Sequence, residues 1–247
     1  MQPIATLTMN PALDVNSETE QVVFSRKLRC GRPLREPGVG GINVARAVTR
    51  LGGEARAIFV AGGVVGARLT ALVAAAGVEA YPIEIADETR ETVNVTERST
   101  GAQFRFVMES PSLAEAEWTA VLEAIAALDL PPAYLVASGT LPGGVPAEFY
   151  GRLSHLAAER SIRLVVDTSG VALRHAVGPG TSLIKPNLAE LRELTGSPGG
   201  SFSDFFLEGA AAAPATAWSP ASCWRWPAER TSRRPRSSAS RPARRRS

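Results

Sequence analysis

Glu36-Pro37-Gly38-Val39-Gly40-Gly41-Ile42-Asn43 is the run best suited to ligand chemistry. Three glycines in four residues admit backbone conformations and close approaches that a Cβ forbids, and Asn43 supplies an amide where a helix should begin. A helix amino-terminus behind such a turn offers free N–H groups and partial positive charge to an anion or a cluster of hydroxyls. A strand-to-helix turn that binds nothing has the same spelling. Asp14 follows Asn10-Pro11-Ala12-Leu13 just past an apparent strand, either as a ligand-binding carboxylate or as a turn carboxylate capping local N–H groups. Lys27 and Arg29 lie on one side of a short extended segment, spaced to grip a phosphate or to solvate a strand face. Arg90 and Arg105 fall in a two-stranded stretch, where they read as a bidentate clamp for an anionic substrate or as exposed polar decoration.

The elements that must position these residues alternate. Residues 4–9 read as a strand, 44–51 as a helix, 55–61 as a buried strand, 66–76 as a helix and 78–83 as a strand, joined by short glycine turns. That order predicts a parallel sheet with right-handed crossovers. Residues 92–96 and 103–107 each alternate apolar and polar side chains about Ser99-Thr100-Gly101, which predicts a β-hairpin and hence a small separate sheet placed as a lid. Helical patterns follow over 112–128 and 146–160, strands over 134–137, 163–166 and 183–187, and a short helix over 188–195 stopped by Gly196. Asp14, Gly38, Ser138, Asp167 and Asn187 thus all follow apparent strands, and a parallel sheet gathers such positions on one rim.

Composition narrows the class. The 247 residues are 45% hydrophobic and 21% charged, which fits one large α/β domain with a small appendage. Cys30 and Cys223 lie far apart with no CxxC spacing, so neither a disulfide framework nor a zinc site is indicated. No basic leader followed by an apolar run opens the chain and no stretch reaches about 18 apolar residues, so the expectation is a cytoplasmic protein with no membrane partner. Basic character belongs to the end: over 201–247 nine arginines face Asp204, Glu208 and Glu229, leaving 18 basic against 21 acidic residues before them. That tail lacks the interleaved aromatics of base recognition, so no nucleic-acid partner is expected.

Several of these segments, in this order, resemble the PfkB (ribokinase-like) carbohydrate kinases, most closely their minor, ribokinase-type 6-phosphofructokinase branch. The likeness is carried by the run from Leu7 through Asn10-Pro11-Ala12-Leu13-Asp14, by Lys27-Leu28-Arg29-Cys30, by Glu36 to Asn43 with Val44-Ala45-Arg46, by Gln103 to Met108, by Ser138-Gly139-Thr140-Leu141-Pro142, by Asp167-Thr168-Ser169-Gly170, and by Lys185-Pro186-Asn187 with Glu190. It covers about residues 1–197. The resemblance implies a three-layer α/β sandwich with a mostly parallel sheet and a lid from about 14–36 and 89–108. It implies ATP-dependent phosphorylation of the 1-hydroxyl of fructose 6-phosphate, with 1-phosphofructokinase or tagatose-6-phosphate kinase as the neighbouring activities. Asp14, Asn43 and the turn of Gly38, Gly40 and Gly41 would hold sugar hydroxyls, with Ser138 beside them. Lys27, Arg29, Arg90 and Arg105 would meet the sugar's phosphate. Lys185, Asn187 and Glu190 would face ATP and Mg²⁺, Glu190 reaching the ion directly or through water. The lid would exclude water and pair two copies as a homodimer. Val39 stands where this branch has another glycine.

One part of the resemblance is missing. The family draws its catalytic base and anion hole from a later Gly-Ala-Gly-Asp motif, which this sequence lacks, so no catalytic residue is assigned and little or no turnover is expected. Asp167 is the nearest strand-end carboxylate that remains, and His155 and His175 have no paired nucleophile. Residues 213–221 can be written GCG CCG GCG ACA GCA TGG TCG CCG GCA, and read one nucleotide earlier behind a G this spells Gly-Ala-Gly-Asp-Ser-Met-Val-Ala-Gly. The expectation is therefore a kinase domain over 1–197 whose C-terminal part is shortened and frame-shifted, with 198–247 a disordered basic tail. A protein that binds sugar phosphate without chemistry is the reading from another class.

Overall fold

The computed structural model describes residues 4–195. The chain runs β1 (Ile4–Thr8), β2 (Ala12–Thr19), β3 (Leu34–Gly38), α1 (Gly40–Arg50), β4 (Ala55–Ala61), α2 (Gly63–Ala75), β5 (Glu79–Glu84), β6 (Arg90–Glu97) and β7 (Gln103–Val107). It continues through α3 (Glu115–Ala126), β8 (Tyr134–Ser138), α4 (Phe149–Glu159), β9 (Arg163–Asp167), α5 (Gly170–Ala176), β10 (Thr181–Ile184) and α6 (Leu188–Thr195). Two sheets result, a six-stranded one ordered β10-β9-β8-β1-β4-β5 and a four-stranded one ordered β3-β2-β6-β7.

All pairs in the larger sheet are parallel. Its central strands β1 and β4 bury both faces, while the edge strands β5 and β10 stay partly exposed. Ala57 and Phe59 pack with Ile42 and Ala45 of α1 and Leu69 and Val73 of α2 on one side. Leu7, Ile58, Leu135 and Val166 pack with Trp118 and Val121 of α3 and Phe149 and Leu153 of α4 on the other. Alternation along each strand thus feeds two cores, which is why these strands read as near-continuous apolar runs. After β1 the chain adds β4 and β5 outward in one direction, and β8, β9 and β10 build outward in the other. The order therefore reverses at β1 and β8, and the carboxyl ends of those neighbours flank the crevice that open α/β sheets use for ligands.

Three expectations are corrected in the glycine turn and what precedes it. Glu36, Pro37 and Gly38 belong to β3, which pairs with β2. Helix α1 starts at Gly40, so Asn43 lies within its first turn and does not open it. Lys27 to Arg29 form irregular loop and no strand. Asp14 sits inside β2, paired with Glu36 on one side and Thr92 on the other. The expected hairpin is present as β6 and β7, but β2 runs parallel to β6, so the small sheet is mixed. Helix α5, which the sequence reading passed over, is seven residues long, and α4 begins at Phe149 where the pattern suggested 146. The expected disordered tail, 198–247, lies outside the described residues.

No helix among the described residues is long and apolar enough to cross a membrane.

Candidate functional site

Glycines 38, 40 and 41 bring three loop ends together. A Cβ on Gly38 would fall inside contact distance of the Asp14 carboxylate, and one on Gly40 would strike the Ser138 carbonyl. One on Gly41 would lie 2.7 Å from the Leu7 carbonyl oxygen. Helix α1 therefore presents its first turn to the ends of β1 and β8, directly beside Asp14, because no side chain holds it off. The Ile42 N–H donates to Thr8 Oγ1 at 3.2 Å, so a strand hydroxyl caps this helix across the fold.

The small sheet supplies the opposite wall. Side chains alternate along a strand, so Asp14 and Asn16 of β2 share a face with Glu36 of β3, Arg90 and Asn94 of β6 and Arg105 of β7. A polar ladder runs across it: Asn94 Nδ2 donates to Asn16 Oδ1 at 2.9 Å, and Asn16 Nδ2 donates to Glu36 Oε2 at 3.2 Å. Arg46 of α1 then donates to the Pro37 carbonyl at 2.9 Å and to Asn43 Oδ1 at 3.2 Å, and pairs with Glu36 at 3.5 Å. Arg46 fastens the helix to the small sheet. It lies three residues after Asn43, a spacing that would have marked it.

Burial pushes the Asp14 carboxyl above its ordinary value, against the pull of the Arg105, Arg90 and Arg46 guanidinium groups. Asp14 Oδ1 and Arg90 Nε are both buried without a hydrogen-bond partner, although Arg90 Nη2 donates to the Asn10 carbonyl at 3.3 Å. A buried acceptor and a buried donor left unpaired side by side are costly, and a hydroxyl and a phosphate bound there would satisfy them.

The other wall of the crevice is ionic. Ser138 Oγ donates to Asp167 Oδ2 at 3.3 Å, and Lys185 Nζ lies 3.1 Å from Asp167 Oδ1. The buried Tyr150 hydroxyl donates to the Gly139 carbonyl at 3.0 Å and fixes the turn after β8. A continuous line of contacts therefore runs from Asp14 past Gly38 and Gly40 to Ser138, Asp167 and Lys185. Asn187 and Glu190 follow at once, but their side chains make a local cap. Asn187 Oδ1 accepts the N–H groups of Ala189 and Glu190 at 2.9 and 3.0 Å, and Glu190 Oε2 accepts the Asn187 N–H at 2.7 Å. Among the described residues no three His, Cys, Asp or Glu side chains gather to hold a metal. Mg²⁺ needs only one or two carboxylates when phosphates complete its shell, so a single carboxylate such as Glu190 could serve as its protein ligand.

Lys27 and Arg29 are not brought to Asp14. The Arg29 carbonyl accepts from Thr19 Oγ1 at 3.2 Å at the far end of β2, five residues and roughly 17 Å along the strand from Asp14. There both residues line an open cavity of about 660 Å³ with Glu18 and Arg98. Local spacing showed two cations on one side but carried no information on which end of the sheet they occupy.

Val39, between the glycines and at the start of α1, has φ 76° and ψ 137°, a region that β-branched residues avoid. It cannot relax, since Gly38 is wedged against Asp14 and Gly40 against Ser138. Such strain costs of order 1–3 kcal/mol. Val39→Gly is expected to raise the urea midpoint by the equivalent of about 1–2 kcal/mol once the unfolded-chain entropy of glycine is counted. Val39→Ala keeps the Cβ and should give no gain; equal midpoints for the two variants would refute the strain.

A model of the "pfkB family carbohydrate kinase" matches residues 8–215. The chain is 46% identical over 194 residues to the ATP-dependent 6-phosphofructokinase isozyme 2 of Mycobacterium tuberculosis, covering 78% of this chain and 57% of that protein. It is 44% identical over 201 residues to the isozyme 2 of Escherichia coli, covering 79% of this chain and 65% of that one. The E. coli phosphofructokinase-2 structure in complex with fructose-6-phosphate superposes with a TM-score of 0.77 and 41% identity over 86% of this chain and 70% of that one. This chain therefore spans less than two thirds of the length of the curated relatives it matches.

Proposed function

The chain belongs to the pfkB family of carbohydrate kinases and has its ribokinase-like α/β fold, and from that premise we propose that its crevice binds fructose 6-phosphate for ATP-dependent phosphorylation of the 1-hydroxyl. The observation that carries this reading is the unpartnered Asp14 Oδ1 beside the unpartnered Arg90 Nε, where α1 and the small sheet meet. Asp14 would accept a sugar hydroxyl, Asn43 would contact another from the first turn of α1, and Arg90 with Arg105 would neutralise the sugar's phosphate. ATP would lie across the rim, with Lys185 and Asn187 toward its phosphates and Glu190 toward Mg²⁺. When bound, that ion shields phosphate charge.

The small sheet acts as the lid. Its other face carries an apolar strip of Val15, Val93, Val95, Phe104 and Phe106 between Arg35 and Glu91, with Phe106 53% exposed, and a second copy of the chain is its proposed cover. Phosphoryl transfer also needs a base for the acceptor hydroxyl. Asp167 is tied to Lys185 and Ser138 and is a poor candidate, and the Gly-Ala-Gly-Asp motif is absent from the sequence. The proposed state of this chain is therefore a cytoplasmic protein that binds sugar phosphate with turnover below detection, the domain proper ending near residue 197 and the tail carrying a displaced reading frame.

Calorimetry and a coupled ADP assay test this together. Fructose 6-phosphate should bind saturably while ADP release stays at background. Restoring the displaced frame in the gene should leave binding intact and raise turnover. No heat with any sugar phosphate at millimolar concentration would overturn the proposal.

A further inference from the structure

Asn10 lies in the crossing from β1 to β2, at the point where the order of the large sheet reverses. It is 3% exposed. Its Nδ2 donates to Ser110 Oγ at 2.8 Å and to Thr140 Oγ1 at 3.1 Å. Its backbone carbonyl accepts from Arg90 Nη2 at 3.3 Å. Ser110 belongs to a second crossing, the one that leads from β7 back to α3, and Thr140 belongs to the turn after β8. One buried residue therefore joins, through its side-chain amide, the passage at Ser110 and the turn that continues from Ser138, and, through its backbone carbonyl, an arginine of the small sheet.

We propose that Asn10 is a positioning residue that couples the placement of the small sheet to the Ser138–Thr140 turn, so that sugar phosphate held under the lid orders the opposite wall of the crevice. The inference rests on the reading that fructose 6-phosphate binds beneath the small sheet. A residue serving packing alone has no use for two donations into separate elements. Here both amide hydrogens are committed, and each ends on a segment that must stay in register with the other. Beyond Thr140 the same turn is held by Tyr150 at Gly139 and carries Ser138 to Asp167. Displacement of Ser110 or Arg90 is thereby passed to the Asp167–Lys185 pair. A main-chain tie, Leu113 N–H to the Gly143 carbonyl at 2.8 Å, runs alongside. Cutting the Asn10 link should therefore weaken the coupling several-fold and not abolish it.

Thr140 is exposed, so its replacement spares the core. Thr140→Val removes the acceptor at nearly constant shape, and Thr140→Ser retains it. Hydrogen exchange on the unliganded chain should show residues 108–113 exchanging about five-fold faster in Thr140→Val, the loss expected for one neutral hydrogen bond. Thr140→Ser should match the wild type. With saturating fructose 6-phosphate, the wild type should gain protection in both 90–97 and 138–141, and Thr140→Val should keep the first gain and lose at least half of the second. The proposal is overturned if Thr140→Val alters exchange only within its own turn, or if the serine variant behaves like the valine one. If the sugar protects nothing in the wild type, the binding reading fails, and the unliganded comparison still decides the coupling.

Discussion

Asp14→Asn is expected to make the protein more stable and to loosen its hold on fructose 6-phosphate. The carboxylate is half-buried, with Oδ1 unpartnered, and burial raises its pKa above 3.8 while Glu36 adds to the rise. A carboxyl whose folded pKa exceeds its unfolded one favours the fold only when protonated, so that contribution is complete below pH 3.8 and is lost as pH climbs through the folded value. At neutral pH the charge is thus a cost, one the amide does not carry. The unfolding midpoint of Asp14→Asn should lie above the wild type at pH 7, with the gap closing toward pH 4. The ligand pays the opposite way: a charge-assisted hydrogen bond is worth about 1.5–3 kcal/mol, so affinity for the sugar should fall roughly ten- to a hundred-fold. Thermal melts across pH with parallel titrations check both signs. A variant that is less stable at pH 7 and still binds the sugar would contradict this role.

Arg90→Met should separate phosphate from sugar. Arg90 lies half-buried on the shared face, its Nε unpaired, and burial lowers its pKa while the Asp14 charge supports its cationic form. Low water access makes its pairing with a phosphate worth more than that of an exposed cation. Loss of about a hundred-fold in fructose 6-phosphate affinity is expected, with affinity for fructose unchanged. Arg105, exposed on β7, should cost less when replaced and depend more on salt. Titrating both sugars into both variants gives the comparison. If Arg90→Met weakens fructose and fructose 6-phosphate alike, Arg90 is holding the fold of the site and not the phosphate. Because Asp14 and Arg90 share one environment, the double variant should lose less than the two single losses combined.

What the sequence disclosed follows from how local each signal is. The strand over 55–61 and the helix over 188–195 were legible to the residue, since an apolar run broken only by Arg56 and bounded by glycine turns, and a capping asparagine with a glutamate three residues on, are contained in their own windows. The 92–107 hairpin was legible for the same reason. The start of α1 was not: glycine propensity argues against a helix at 40–42, and only tertiary contact with Ser138 and Leu7 explains why glycines stand there. Parallel pairing of β2 with β6 joins residues some 78 positions apart, which alternation within either strand cannot announce. Among the site residues, strand-end position puts Asp14, Gly38, Ser138, Asp167 and Asn187 on one rim; Gly38, Ser138 and Asp167 do end strands, whereas Asp14 lies within β2. Asn10 could not, because its side-chain bonds reach residues 100 and 130 positions away, while for Arg46 only the three-residue spacing from Asn43 is a local signal. For Lys27 and Arg29 the spacing gives only a shared side, and the loop that carries them is tied at Arg29 to Thr19 at the far end of β2.

The central claim is that the crevice between the small sheet and the ends of β1 and β8 is where a phosphorylated sugar sits. A crystal structure of this chain soaked with fructose 6-phosphate tests it most directly. Density should place a sugar hydroxyl on Asp14 Oδ1 and the phosphate between Arg90 and Arg105. Density for the sugar elsewhere on the protein, with that crevice filled by water alone, would contradict it.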